Sequence, residues 1–588
     1  MRRRLAIGLF LCAGLSGCSG GAGGSRPAPA ILSSSGSSSE TTLRQHPQDA
    51  GSAALAPKAP AISFNDYVTF GYDNQRDVYN PNSTAITPAS MPKLHLAWQG
   101  LMNGGDFNVQ SQPVLATEIP SHTGVLYVAG GFSGYVDAFD ALTGAFLWKT
   151  ATGQELYSCD PANDQAYFGI GGSVAYDPSS RSLYVVGNKN STLDGYAQNL
   201  VIHLDGASGT LLGKVDVDAG ELGQGELNFG HTSVTLADGL AYVGTGSTCD
   251  LPAWRGRIAA VNVPAMTVAH TFYTVWNKTT EWDGGGVWGW GGVSLDFNGN
   301  VLTGVGNTDN GTNGTIPPPF EAAPQEFSGN GEALMELSSD LTKVAENHPI
   351  PQSVYGGNSV DLDVNGTPAV FKPMGTGCDT MAALQAKSGA LYIYDTTRIA
   401  RGPAAEYQLA PSSYADGFLG DPAYSKATGL LYAPVASSVS PNLYPPGMIA
   451  INPGCGAPAY LWNAVFGPDS TGNGIPRSVP APSAGGVVFI ATACNALSGR
   501  CPVTGPYGAL WEIDASKGTV LNNGSPVLYT NSVVRAPATI DGKWVFVVDT
   551  GGDLYGLTID PKYPAIAAKR RAIDPRMLFN RKTARPRP

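Results

Sequence analysis

Val136-Asp137-Ala138-Phe139-Asp140-Ala141-Leu142-Thr143-Gly144-Ala145-Phe146-Leu147-Trp148 is the stretch on which the fold turns. A short alternating apolar run ends in an aspartate, a glycine follows within a tight turn, and a second run carries a large aromatic, which together read as a β-hairpin. Weaker copies return at residues 201–209 (VIHLDGASG), 258–263 (IAAVNV), 333–340 (ALMELSSD), 391–395 (LYIYD), 448–454 (MIAINPG), 509–518 (ALWEIDASKG) and 553–560 (DLYGLTID). There are about eight, spaced roughly 55 to 65 residues apart, which marks a repeat architecture with room for four strands and loops per repeat. Each copy reads as the outer hairpin of one blade. Upstream pairs such as 124–130 (GVLYVAG) and 181–187 (RSLYVVG) read as inner strands.

The pattern predicts an all-β chain forming an eight-bladed β-propeller. Residues 94–98 (LHLAW) have no preceding strands of their own, and the last copy at Asp553 lacks a following strand. The two deficits complement each other, so the N-terminal strand is expected to complete the last blade and close the ring, leaving no open sheet edge. Composition agrees. Charged residues are 14% of the chain while Gly (75) and Pro (44) are abundant, a balance that suits many short strands joined by turns rather than long helices.

Outside the propeller, expected over residues 62–560, the chain changes character. Arg2, Arg3 and Arg4 precede an apolar run that is too short to span a bilayer, the layout of an export signal over residues 1–18. The run closes on Leu15-Ser16-Gly17-Cys18, which resembles the lipobox of bacterial lipoproteins; this implies acylation of Cys18 and attachment to a membrane of the cell envelope. Residues 19–61 are rich in Gly, Ser, Ala and Pro, too poor in apolar surface to offset the entropy of ordering, and read as a disordered linker. A tail over residues 561–588 is basic, with Lys569, Arg570, Arg571, Arg576, Arg581, Lys582, Arg585 and Arg587, and could meet anionic headgroups near the anchor. The net charge of -11 argues against a nucleic-acid partner.

Within the propeller, several stretches resemble the quinoprotein alcohol dehydrogenases, which carry pyrroloquinoline quinone (PQQ). Residues 67–76 (YVTFGYDNQR), Asn80-Pro81 and the 94–98 strand are similar to that family's opening, and the Asp140 to Trp148 repeat is similar to its blade motif. Gly284-Gly285-Gly286-Val287-Trp288-Gly289-Trp290, followed by Gly304-Val305-Gly306-Asn307, resembles the stretch that supplies a cofactor-stacking Trp and a calcium-binding Asn. Residues 387–395 (KSGALYIYD) resemble the stretch whose basic residue touches the quinone. The resemblance therefore implies PQQ bound by Trp288 and Lys387, and calcium held by Asn307 and by Asp250, which lies near the place of an acidic ligand. A flat anionic quinone asks for an aromatic face and a cation, and calcium asks for several oxygen ligands.

Two departures weigh against family-type alcohol oxidation. Where the family has adjacent cysteines, Ser158-Cys159-Asp160 offers one. Where its catalytic Asp is expected, residues 351–357 (PQSVYGG) hold no carboxylate, and the alternation around Asp361 and Asp363 reads as an ordinary strand and turn. No Cys-x-x-Cys-His is present, so electrons would pass to a separate acceptor. The seven histidines show no metal-ligand spacing. Among the cysteines beyond Cys12 and Cys18, Cys494 and Cys501 flank a short loop and are the expected disulfide. Two functions stay open: a PQQ-type oxidoreductase acting on a small alcohol or sugar, and a non-catalytic propeller that offers its loops to protein partners at the membrane.

Overall fold

A computed structural model describes residues 64–102, 109–156, 167–189, 198–218, 228–230, 232–247, 256–274, 283–306, 308–309, 330–350, 362–364, 366–410, 421–435, 444–466, 473–494 and 505–571. From Ile62 onward the chain forms one compact unit. No helix among the described residues is long and apolar enough to cross a membrane. Cys18, Asp250, Asn307, Cys159 and Cys501 lie outside the described residues, as does the side chain of Cys494, so the expected ligands, acyl site and disulfide among them are not positioned.

Eight antiparallel sheets of four or five strands follow one another around a ring, each with a buried inner strand, and most outer strands are more exposed, though Leu528–Thr530 of blade seven stays largely buried. Blade one runs through Val114–Ala116, Val125–Ala129, Tyr135–Asp140 and Phe146–Ala151. The inner strands of blades two to eight are Ala175–Asp177, Thr235–Ala237, Ser294–Leu295, Ala369–Phe371, Ala423–Ser425, Ala481–Pro482 and Thr539–Asp541. Blade eight is completed by His95–Leu101, antiparallel to Asp553–Thr558, so the ring closes as the sequence predicts.

The repeated hairpin owes its shape to one turn used many times. The Asp140 carboxylate accepts the amides of Leu142 and Thr143, and the Gly144 N–H donates to Asp140 O at 2.8 Å. Asp205 with Gly209, and Asp514 with Gly518, repeat it. These glycines sit at φ near +70°, where a side chain is strained. There is a second reason for glycine. A Cβ on Gly144 would overlap the Trp98 indole, one on Gly209 the Trp148 indole, and one on Gly518 the Trp462 indole. Each tryptophan on an outer strand thus lies across the turn of the next blade, and the repeat welds blade to blade.

Residues 67–80 do something the repeat does not announce. The segment passes round the inside of the ring and bonds the inner strands in order. Tyr67 pairs with Leu115 of blade one, Val68 O accepts from Tyr176 of blade two, and Asn74 Nδ2 donates to Leu236 O of blade three. Asn74 O then accepts from Leu295, Gln75 O from Val370 and Asp77 O from Tyr424, on blades four, five and six. Asn80 bridges Ser483 of blade seven and donates to Ile540 O of blade eight. Inner-edge groups that would otherwise be unpaired away from water find partners in this strap. Arg76, buried, holds it: the guanidinium donates to Thr69 Oγ1, Phe70 O, Val234 O and Thr235 Oγ1. Burial, then the neighbouring Asp73, pushes the Asp77 carboxyl up to about 8, against the opposing pull of Lys426, whose Nζ lies 3.1 Å away.

Two further ties differ from what the sequence leads one to expect. Residues 561–571 of the basic tail are docked on blade eight: Ile566 N–H donates to Leu96 O, Lys569 exchanges two hydrogen bonds with the Gln99 side chain, and Arg571 pairs with Asp553 at 2.9 Å. The tail's charge hid this, because the bonds that seat it are mostly made by its backbone. A disulfide joins Cys378, in the loop after blade five's inner strand, to Cys455, in blade six's outer hairpin turn. Their Cα atoms are 4.8 Å apart, and the sequence separation of 77 residues gave no hint of the pairing.

Candidate functional site

In a ladder of antiparallel strands, the start of the first, the end of the second and the start of the third lie at one end. Trp288 leads into blade four's inner strand, Gly306 follows its second strand Val301–Val305, and Glu332 leads into its third, Ala333–Leu337. Asp363 leads into blade five's inner strand, and Lys387 lies in the turn between Met381–Gln385 and Ala390–Asp395. Five residues scattered over about a hundred positions therefore meet at one mouth of the channel. The disulfide, in the other set of turns, lies at the opposite end.

The geometry is tight. Lys387 Nζ is 2.7 Å from Asp363 Oδ2 and stands 5.0 Å from the centroid of the Trp288 ring. Backbone fixes the pair: Lys387 N–H donates to Asp363 O and Ser388 N–H to Leu362 O, both at 3.0 Å. The Asp363 side chain is 3% exposed and that of Lys387 19%, so the carboxylate is enclosed while the ammonium reaches toward the opening. Gly306 sits between them and the indole. A Cβ there would come within 2.5 Å of Asp363 Oδ1 and 3.2 Å of Trp288 Nε1, so only glycine lets the carboxylate and the indole approach. Around Trp288, Val287 N–H donates to Thr245 O and Gly306 N–H to Gly286 O, which seats the glycine-rich run against blades three and four.

Beside the site the blades are knit together. Successive blades hand a hydrogen bond onward at the entry to their inner strands: Gln112 N–H to Ser173 Oγ, Ser173 N–H to Ser233 Oγ, Ser233 Oγ–H to Trp290 O, Gly291 N–H to Thr367 Oγ1, and Thr367 N–H to Asp421 Oδ1. Burial raises the Asp421 carboxyl to about 7, opposed by the bonds from Thr367. Arg535 lies over the Trp290 ring at 6.0 Å, and Phe70 of the strap packs against Gly291.

The structure brings together Trp288 and Lys387, the two residues that the resemblance assigns to the cofactor. Asp363 is a correction. Its neighbourhood reads as strand and turn, yet its side chain is the enclosed partner of Lys387. Among the described residues no group of three His, Cys, Asp or Glu side chains forms a metal centre. The signal that could have found Asp363 is its place ahead of blade five's inner strand, matching that of Trp288 in blade four.

The fold is that of an eight-bladed propeller built as the quinoprotein alcohol dehydrogenases are. The quinohemoprotein alcohol dehydrogenase of Comamonas testosteroni superposes with a TM-score of 0.58 at 16% identity, over 86% of this chain and 82% of that one. One from Pseudomonas putida gives 0.56 at 16% identity over the same shares. A europium-containing methanol dehydrogenase gives 0.55 at 14%, over 84% of this chain and 98% of that one. No family model matches the sequence, and no curated protein does.

Proposed function

We propose that the protein is a quinoprotein oxidoreductase that takes two electrons from a small alcohol or sugar, with PQQ as acceptor and calcium as its counter-ion. The observation that carries this is the Asp363–Lys387 pair set on the face of Trp288, where blades four and five meet. The residues fit the group: the indole offers stacking area, the ammonium suits an anionic quinone, and Gly306 adds no side chain where the carboxylate and the indole come together. Asn307 and Asp250 would add calcium ligands, as the sequence resemblance implies. When bound, PQQ supplies a two-electron acceptor for the hydrogen on the carbinol carbon. The chain's part is to take the hydroxyl proton on Asp363 Oδ1 or Oδ2 and to hold that carboxylate with Lys387. The missing carboxylate of residues 351–357 is thereby supplied from Asp363.

The same reading has the chain anchored to the cell envelope by acyl groups on Cys18, with reduced cofactor discharged to a separate electron carrier. The Leu15 to Cys18 sequence supports the anchor, and the Cys378–Cys455 disulfide suits an oxidising compartment outside the cytoplasm. Residues 572–588, with five more Lys and Arg counted from the sequence, would add attraction to anionic headgroups.

Turnover with an artificial dye acceptor, across a panel of small alcohols and sugars, tests the catalytic reading. Wild-type protein given PQQ and calcium should reduce the dye. Asp363→Asn, which keeps shape and removes the base, should bind PQQ and lose about 10²- to 10⁴-fold in kcat. Full activity in Asp363→Asn removes that residue's role.

A further inference from the structure

Glu332 is not a residue that composition, motif or resemblance singles out, and nothing in the mechanism above uses it. It is 3% exposed and adopts φ of 56°, a left-handed conformation unusual for a glutamate. Non-glycine residues persist there when their surroundings hold them, and such positions cluster at functional sites. Two contacts of its own, and one between their partners, do the holding. Its N–H donates to Gly306 O at 2.9 Å, its Oε2 accepts the Val364 N–H at 3.0 Å, and Val364 itself is bridged to Val305.

These contacts connect the two halves of the site. Gly306 is the residue whose missing Cβ makes room for Asp363 beside Trp288, and Val364 directly follows Asp363. We infer that Glu332 is a positioning residue, whose carboxylate fixes the Asp363–Val364 peptide and so aims the Asp363 side chain at Lys387. The inference deepens the oxidoreductase reading and rests on it for the roles of Asp363 and Lys387. The geometric claim stands apart, because the alignment of that pair exists with or without a quinone.

Three measurements on the full chain decide it. In wild-type protein, hydrogen exchange should find the Val364 amide protected; rapid exchange there would overturn the contact on which everything depends. Competitive acetylation read by mass spectrometry should find Lys387 acetylated several-fold faster in Glu332→Ala than in wild type, with the other lysines unchanged. Glu332→Gln, which keeps an oxygen for the Val364 N–H, should restore the wild-type rate. If the alanine variant does not fold, Glu332→Met, which keeps the volume without the acceptor, replaces it. Folded variants whose Lys387 reactivity is unaltered contradict the inference. With PQQ and calcium present, the alanine variant should also lose kcat and the glutamine variant should retain it. A wild-type protein that takes up no quinone defeats the oxidoreductase reading alone, since the exchange and acetylation results still judge Glu332.

Discussion

At the scale of single residues, the interior separates acids that have work from one that has none. Asp363 is enclosed but paired with Lys387, and Asp77 is enclosed but faces Lys426. Glu512, in the third strand of blade seven, is fully buried, and neither carboxylate oxygen has a hydrogen-bond partner among the described residues. Burial alone raises it to about 8. The folded state therefore binds a proton that the unfolded chain releases near pH 4.5, so this group's contribution to stability is greatest below that pH and is lost as pH rises toward 8. Glu512→Leu should raise the melting temperature at pH 8 and flatten its fall between pH 5 and pH 8, measured by circular dichroism. An unchanged pH dependence would mean that the carboxyl finds a partner. Sequence could not mark these acids apart, because neither a loop aspartate nor a strand glutamate shows by itself whether a lysine of a later turn will face it.

At the scale of elements, what was legible is what is local. The hairpin from Val136 to Trp148 carries its own instructions: alternating apolar residues, an aspartate that caps the turn, a glycine that bears positive φ. Each of the eight copies carries its signals within a short run of sequence. The strap over residues 67–80 was not legible as a strap, since it has no period and its partners are backbone edges of eight blades. Trp98 belongs to both worlds. It is 5% exposed, lies between Gly556 of its own blade and Gly144 of the next, and donates from Nε1 to Ala141 O at 3.1 Å. Trp98→Ala should cost about 3–5 kcal/mol in chemical denaturation, because it removes a large buried ring and the weld at the ring's closing blade together. A loss below about 1 kcal/mol would show that the docked tail and strap hold the closure by themselves.

At the scale of the whole molecule, the closing blade is built from both ends of the propeller sequence and covered by residues 561–571, while the disulfide ties blades five and six at the end away from the site. The ring brings Trp288, Asp363 and Lys387 together at one end of blades four and five, and the strap pairs the inner strands. The measurement that tests this most directly is a titration of the full chain with PQQ in the presence and absence of calcium, following cofactor absorbance and tryptophan fluorescence. Saturable, calcium-dependent binding that is lost in Trp288→Ala and kept in Asp363→Asn is the predicted result. No binding at saturating cofactor would contradict the quinoprotein reading, leave the eight-bladed ring standing, and turn the search toward protein partners.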